Sequence, residues 1–266
     1  MEIKSYVVAN SLKEAHQLLN ESDHNFILGG GLWLKHGTKY VEQMIDLSHL
    51  NLNHIIETNE KIEIGALTTL RDLETNPAIQ AFGNGFLSKA IGSIVGVQFR
   101  NLATIGGSIY GKYPFSDIVT PLLCLHVTLK FFPNEEITLH DYLEEKGKAK
   151  KILTHIIIKK EKGKGFFKKV AITMQDFSIL NIAVYKHKEY KIVIGARPGK
   201  PILALDAMKM INQATQIDDH LIERCANHII ETIIFGDDVR SSKEYREVLA
   251  KTYVKRGIKE VMNHEG

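Results

Sequence analysis

FRNLATIGGSIYGKYPFSD, residues 99–117, sets a paired-glycine turn, Gly106-Gly107, a short distance before a carboxylate, Asp117. Lacking Cβ atoms, paired glycines let backbone N–H groups approach an anion more closely than any side chain would allow. A second run, FILGGGLWL at residues 26–34, repeats this chemistry far upstream. The N–H groups of Gly30, Gly31, Leu32 and Trp33 make one candidate donor set, and those of Gly106, Gly107 and Ser108 a second. Either run alone is better explained as a tight turn with no ligand. Two such turns, each following a strand and joined by Asp117, point to one extended ligand with a pyrophosphate cradled from two sides. Neither GxGxxG nor GxxxxGK[ST] occurs in the chain, which argues against a Rossmann dinucleotide site and a P-loop.

The 266 residues are 44% hydrophobic, enough for a real core and for two or three compact lobes. A net charge of +3 is small beside 34 basic and 31 acidic side chains, and makes no case for nucleic acid. The two cysteines, Cys124 and Cys225, are far apart and form no CxxC, which argues against a local iron–sulfur or zinc motif and fits a reducing compartment. No signal-like apolar core opens the chain and no stretch approaches the roughly 18 apolar residues of a membrane span, so a cytoplasmic location is expected.

Ser11 is placed to cap a helix with Glu14 at the capping-box position, and Leu12, Ala15, Leu18 and Leu19 form its apolar face. Phe26-Ile27-Leu28 predicts a short buried strand running into Gly29-Gly30-Gly31, with another strand at Met44–Leu47. This gives a small α/β lobe over about residues 1–55. A second lobe, about 56–160, starts with the alternating strand Ile62–Ala66, then a helix marked by Thr69 and Asp72 that ends before Pro77. Leu87–Ile94 is helical in character. Ile152–Ile158 predicts a strand, followed by a lysine- and glycine-rich turn and strands at Ile179–Val184 and Tyr190–Ile194. From about Ala204 the chain is largely helical. The expected architecture is α+β: a two-lobed binding region over 1–160, then a sheet-plus-helices domain over 161–266.

Asp117, before an apolar run, has two readings: helix N-cap, or acceptor for a ribose hydroxyl. Arg100 is a candidate for a phosphate or for bracing its loop. The lysines at 159–169 read as a solvated edge, except Lys168, which follows Phe166-Phe167 at a strand start where its tip can face a cofactor. The twelve histidines show no HExxH or other compact spacing, so a metal site is not expected.

The chain also carries a family resemblance. Gln98–Ile109 and Pro114–Asp117 resemble the pattern QIRNxATIGGN(I/L)…SPxSD of the FAD-binding medium subunits of molybdenum hydroxylases, the xanthine dehydrogenase and carbon monoxide dehydrogenase group. Asp238–Arg246 resembles that family's D-x-R-A-S-x-x-Y-R segment, and Gly195–Gly199 fits the start of its last domain. The resemblance implies an FAD-binding domain of the vanillyl-alcohol oxidase and p-cresol methylhydroxylase type followed by the family's C-terminal domain. It implies FAD, expected to be noncovalent because neither loop has a Cys or His to tether the ring, with Phe26, Ile27, Leu28, Gly29, Gly30, Gly31, Leu32, Trp33 and Leu34, and Ala103, Thr104, Gly107 and Ser108, around the ADP and pyrophosphate. It gives Ser116 and Asp117 to the ribose region, Ile152 and Leu153 to the neighbourhood of the flavin ring, and Lys168 to its polar edge. It further implies electron transfer from [2Fe–2S] centres on a partner to NAD or another acceptor, with iron–sulfur and molybdopterin groups on separate subunits. One departure stands out: Leu32-Trp33 replaces the family's Thr-Asp after the glycines, removing a hydroxyl and a carboxylate. That departure motivates a rival reading as a flavin-free scaffold subunit, and a free-standing FAD oxidase is a second rival.

Overall fold

The structure, a computed structural model, describes residues 2–32, 40–147 and 150–262. The first elements are β1 (Glu2–Val8), α1 (Leu12–Glu21), β2 (Asn25–Leu28), β3 (Tyr40–Asp46), β4 (Ile55–Glu57) and β5 (Lys61–Gly65). Short helices follow, α2 (Leu70–Thr75), α3 (Pro77–Ala81), α4 (Phe86–Gly92), α5 (Val97–Arg100), α6 (Ile105–Tyr110) and α7 (Val119–Leu123). Then come β6 (Val127–Phe132), β7 (Glu135–Thr138), α8 (Leu139–Glu144), β8 (Ile152–Lys159), β9 (Lys164–Val170), β10 (Leu180–Lys186), β11 (Tyr190–Gly195) and β12 (Ile202–Leu203). The helices α9 (Leu205–Asn212), α10 (Asp219–Thr232) and α11 (Lys243–Met262) complete the described chain. Two compact units result: Met1–Leu73 with Val97–Gly111 and Val127–Lys159, and Glu74–Gly96 with Lys112–His126 and Lys160–Gly266.

The first unit holds two sheets, a parallel one in the order β1-β3-β2 and an antiparallel one in the order β4-β5-β8-β6-β7. Helix α1 starts where the capping residues place it: Ser11 Oγ accepts the Glu14 N–H at 3.1 Å. The reciprocal bond differs from the usual box, because Glu14 Oε2 accepts from the N–H of Asn10 at 2.8 Å, one residue before the cap. Ala15 and Leu19 are buried with Ile45, Leu47, Leu52 and Ile152, and this apolar cluster seats β2 and β3 against the helix. Strand β2 is half-buried rather than buried; its first residue, Asn25, lies in the interior and donates from Nδ2 to the Leu18 carbonyl at 2.6 Å. Thr69 and Asp72 start α2 as expected, the Asp72 N–H reaching Thr69 Oγ1 at 3.1 Å.

The second unit is built on an antiparallel sheet in the order β12-β11-β10-β9. In β10, every residue from Leu180 to Tyr185 is buried, as expected of a strand covered on both faces. Ile182 and Val184 point into the apolar cluster formed with α9, α10 and α11. The alternate residues serve the other face, where Asn181 meets Thr120 and Tyr185 packs on Phe86 with ring centroids 5.6 Å apart. Arg246 on α11 is wholly buried and locks the segment that precedes its helix. Its guanidinium donates to the carbonyls of Ile179 (2.9 Å), Gly236 (2.5 Å) and Ser241 (2.8 Å), and to Asp238 Oδ1 (2.6 Å). Burial alone would raise the Asp238 pKa, yet the Arg246 bond and the N–H groups of Arg240 and Ser241 hold it below the usual carboxylate value. No helix of the described residues is long and apolar enough to cross a membrane.

Candidate functional site

The two glycine runs, more than 70 residues apart in the chain, pack directly on one another within the first unit. Strand β2 delivers Gly29-Gly30-Gly31 at its carboxyl end, the side on which open α/β sheets generally place ligands. The second turn is held by the segment after β5: the Leu70 N–H donates to the Ala103 carbonyl (2.8 Å), and the Ile105 and Gly106 N–H groups donate to the carbonyls of Thr68 (3.0 Å) and Ala66 (2.9 Å). A Cβ on Gly29 would lie 3.1 Å from Thr104 Oγ1 and 3.4 Å from the Gly107 Cα, and a Cβ on Gly30 would lie 1.8 Å from the Leu102 carbonyl oxygen. Glycine is therefore required at position 30 by the contact between the turns, and the fit at Gly29 is tight. Gly31 adds a left-handed φ of 70° that opens the chain away from β2.

Accounting for the backbone donors separates the two turns. Thr104 caps α6, its Oγ1 accepting from the Gly107 N–H at 3.1 Å, and the Ser108 N–H and Oγ both donate to the Thr104 carbonyl, at 3.0 and 2.8 Å. With Gly106 bonded to Ala66, the N–H groups expected of Gly106, Gly107 and Ser108 are all spent inside the protein. This corrects the expectation of a second donor set: the 104–108 turn offers close approach instead. The N–H groups of Gly29, Gly30 and Gly31 have no hydrogen-bond partner among the described residues. Backbone donors rarely go unpaired unless water or a ligand takes them.

Of the other expected residues in this unit, Phe26, Ile27 and Leu28 lie half-buried on β2, and Leu32 follows the glycines; Trp33 and Leu34 lie outside the described residues. Ala103 and Thr104 are buried at the second turn. Ile152 and Leu153, at the start of β8, are both buried, Ile152 in the cluster against which Ile27 packs. Arg100, the last residue of α5, is buried.

Ser116, Asp117 and Lys168 belong to the second unit. Asp117 is not a helix cap; Ile118 occupies that position before α7, and Ser116 Oγ instead accepts the Val119 N–H at 3.3 Å. The Asp117 carboxylate is buried in a polar network, accepting from Ser178 Oγ, from Asn181 Nδ2 at 2.6 Å and from Lys169 Nζ at 3.4 Å. Asn181 in turn takes the Thr120 hydroxyl on Oδ1 at 2.7 Å, and Lys169 also donates to the Ser93 carbonyl at 3.0 Å. Burial raises the Asp117 pKa above the ordinary carboxylate value, against the opposing pull of Lys169, Ser178 and Asn181.

Lys169, which sequence reading passed over, is thus the lysine with a buried carboxylate partner. Lys168 pairs in register with Ile182 and turns to the α11 face, its Nζ 5.4 Å from the Tyr253 ring centroid, whereas Lys169 pairs with Asn181. The signal that could have found it is strand alternation: if Ile182 faces the helices, Asn181 and its partner face the other way.

Comparison with known proteins places this geometry. Residues 1–160 match the family described as the FAD binding domain in molybdopterin dehydrogenase, and residues 165–261 match the CO dehydrogenase flavoprotein C-terminal domain. The glyceraldehyde dehydrogenase medium chain of Sulfolobus acidocaldarius is 26% identical over 97% of this chain and 98% of its own length. The xanthine dehydrogenase FAD-binding subunit of Escherichia coli O157:H7 is 24% identical over 100% of this chain and 98% of its own. Among solved structures, the carbon monoxide dehydrogenase of Hydrogenophaga pseudoflava superposes with a TM-score of 0.90 at 20% identity, covering 97% of each chain, and quinoline 2-oxidoreductase of Pseudomonas putida 86 with 0.87. The α+β architecture expected from the sequence is the architecture these structures share.

Proposed function

Since the chain belongs to the family of FAD-binding domains of the molybdopterin dehydrogenases, we propose that it is the FAD-holding electron-transfer subunit of a molybdenum hydroxylase of the xanthine dehydrogenase type. The observation that carries this reading is the pairing of the two glycine turns, with the Gly29, Gly30 and Gly31 N–H groups unspent among the described residues. Three adjacent backbone donors over a turn with no side chains fit a pyrophosphate. The residues present therefore fit FAD, with Gly29–Gly31 as donors and Thr104 and Gly107 as the floor that allows close approach. Leu32 takes the position where the family pattern has Thr, so the hold on phosphate rests on backbone.

FAD would supply the redox chemistry, accepting electrons from an iron–sulfur centre and passing them to NAD or another acceptor. The chain's own part is to bind, orient and shield. It holds no Cys or His in either glycine turn to tether a flavin, which supports noncovalent binding. Both its cysteines are buried, and burial pushes the Cys124 thiol pKa up, so neither is suited to ligate iron. The [2Fe–2S] and molybdopterin groups are accordingly assigned to partner subunits, and the binding and C-terminal regions to residues 1–160 and 161–266.

The test is the visible spectrum of the purified protein, followed by heat or acid release and identification of the cofactor, then turnover with and without partner subunits. Free FAD in the supernatant and activity only in the assembled complex are expected. FMN, a flavin retained in the denatured pellet, or an active single chain free of iron and molybdenum would overturn the reading. Leu32 favours one rival, a scaffold subunit, which a stable complex lacking flavin would establish.

A further inference from the structure

Three ligand-bearing side chains that lie far apart in the sequence come together on the antiparallel sheet of the first unit. His54 precedes β4, Glu63 lies on β5 and His155 on β8. Their metal-ligating atoms all lie within 4.8 Å of one another, and each residue is half-buried. The sheet register explains the meeting. Gly65 pairs with His155 across β5 and β8, the Gly65 N–H donates to the His54 carbonyl at 2.9 Å, and Glu63 sits two residues before Gly65 on the same strand face.

The imidazoles are set up as ligands. Asn51, in a left-handed conformation with φ 53°, turns its carbonyl toward His54, whose Nδ1–H donates to it at 2.9 Å. That bond fixes the tautomer and leaves Nε2 with the lone pair, the arrangement by which backbone carbonyls orient metal-bound histidines. The His54 and His155 ring centroids are 5.4 Å apart. Burial holds the His155 imidazole below its ordinary pKa against the pull of Glu63, with His54, Lys130 and Lys61 adding to the lowering. One group competes for the carboxylate: Lys61 Nζ lies 2.7 Å from Glu63 Oε2. Lys130, the other cation beside His155, is engaged with Glu136 at 3.2 Å.

We propose that His54, Glu63 and His155 bind a divalent cation of the zinc class, with water in a fourth position. Two imidazole nitrogens and one carboxylate oxygen are a ligand set that zinc takes, and tetrahedral zinc places its ligands about 3.3 Å apart. Contraction from the observed spread needs only side-chain rotation by half-buried residues, with Lys61 swinging to solvent as the cation replaces it. The site ties the 51–54 turn to β5 and β8. It uses no residue of the flavin turns, although Thr68, whose carbonyl takes the Ile105 N–H, donates its hydroxyl to the His54 carbonyl at 3.0 Å; its chemistry requires neither NAD nor a partner subunit.

The experiment titrates the full-length protein with zinc chloride against a chromogenic chelator. Wild type binds one equivalent that the His54→Gln/His155→Gln double variant lacks; each single variant weakens binding about tenfold or more, and Lys61→Met tightens it several-fold by freeing Glu63. A measurement on unmodified protein guards against variants that fold poorly. Zinc should protect His54 and His155 selectively from diethylpyrocarbonate, read by peptide mass spectrometry. Undiminished binding by a folded double variant, weaker binding by Lys61→Met, or equal labelling of the two histidines with and without zinc would overturn the proposal.

Discussion

Replacing Gly30 with alanine tests the glycine-turn reading most sharply. The new Cβ would fall 1.8 Å from the Leu102 carbonyl oxygen and 2.6 Å from its carbonyl carbon, whereas real Cβ atoms essentially never approach within 3.0 Å. The obstruction is backbone, so it cannot rotate aside, and one turn must move by more than 1 Å. Overpacking of this kind costs about 1–3 kcal/mol. The displacement also misaligns the Gly29–Gly31 N–H groups. A hydrogen bond to a charged partner contributes about 1.5–3 kcal/mol, and 1.4 kcal/mol is tenfold in affinity, so losing one donor weakens FAD by roughly ten- to a hundredfold. Gly107→Ala is the matched control. Its Cβ would lie 3.1 Å from Thr104 Oγ1 and 3.9 Å from the Gly29 Cα. Being inside α6, it recovers about 1 kcal/mol of helix propensity, so its FAD affinity should fall only a few-fold with the fold intact. Flavin-fluorescence titration of apoprotein reads the affinity, and far-UV circular dichroism with a thermal melt reads the fold. If folded Gly30→Ala binds FAD within threefold of wild type, or if both variants lose FAD equally, the backbone-donor argument fails.

Arg246→Ala leaves Asp238 and three carbonyls without their buried partner, and should cost about 3–5 kcal/mol, read as a fall in Tm with FAD binding reduced only through unfolding; a fall of under about 2 °C would refute the clamp. Because Asp238 has a lowered folded pKa, its contribution to stability is complete above the unfolded carboxylate value near 4 and is lost as pH falls through the folded value. Wild type should therefore lose more stability than Arg246→Ala on acidification below about pH 4, and parallel acid melts would contradict this. Asp117→Asn should lower Tm, by weakening the Lys169 pairing, while leaving FAD affinity within threefold. Tenfold weaker FAD at unchanged Tm would instead assign that carboxylate to the ribose.

The parts of this molecule that local chemistry dictates were readable from sequence. Ser11 and Glu14 start α1, Thr69 and Asp72 start α2, and β2 runs into its glycines because a strand of apolar residues meets three residues without side chains. What was not readable depends on pairing across the chain. Asp117 looks like a cap because an Asp before an apolar run usually is one, but Lys169 on β9, Ser178 just before β10 and Asn181 on β10 reach it from more than 50 residues on, and their bonds outcompete a local one. Lys169 is equally hidden in the sequence: one residue on a strand exchanges the face against α11, where Lys168 lies, for the face with the buried carboxylate.

The histidines make the same point more strongly. A scan for compact ligand spacing cannot see His54, Glu63 and His155, because a sheet brings ligands together through register rather than through the three- or four-residue repeat of a helix. The glycine turns combine both cases. Each is visible as a local signal, yet what crowds Gly30 and Gly29 is the other turn: a Cβ on Gly30 would strike the Leu102 carbonyl and one on Gly29 would press on Thr104 and Gly107, whereas a Cβ on Gly106 would meet Ala66. The hydrogen bonds also separate the two turns: turn 104–108 spends its N–H groups on Ala66, Thr68 and its own Thr104 cap, whereas those of Gly29–Gly31 have no partner among the described residues.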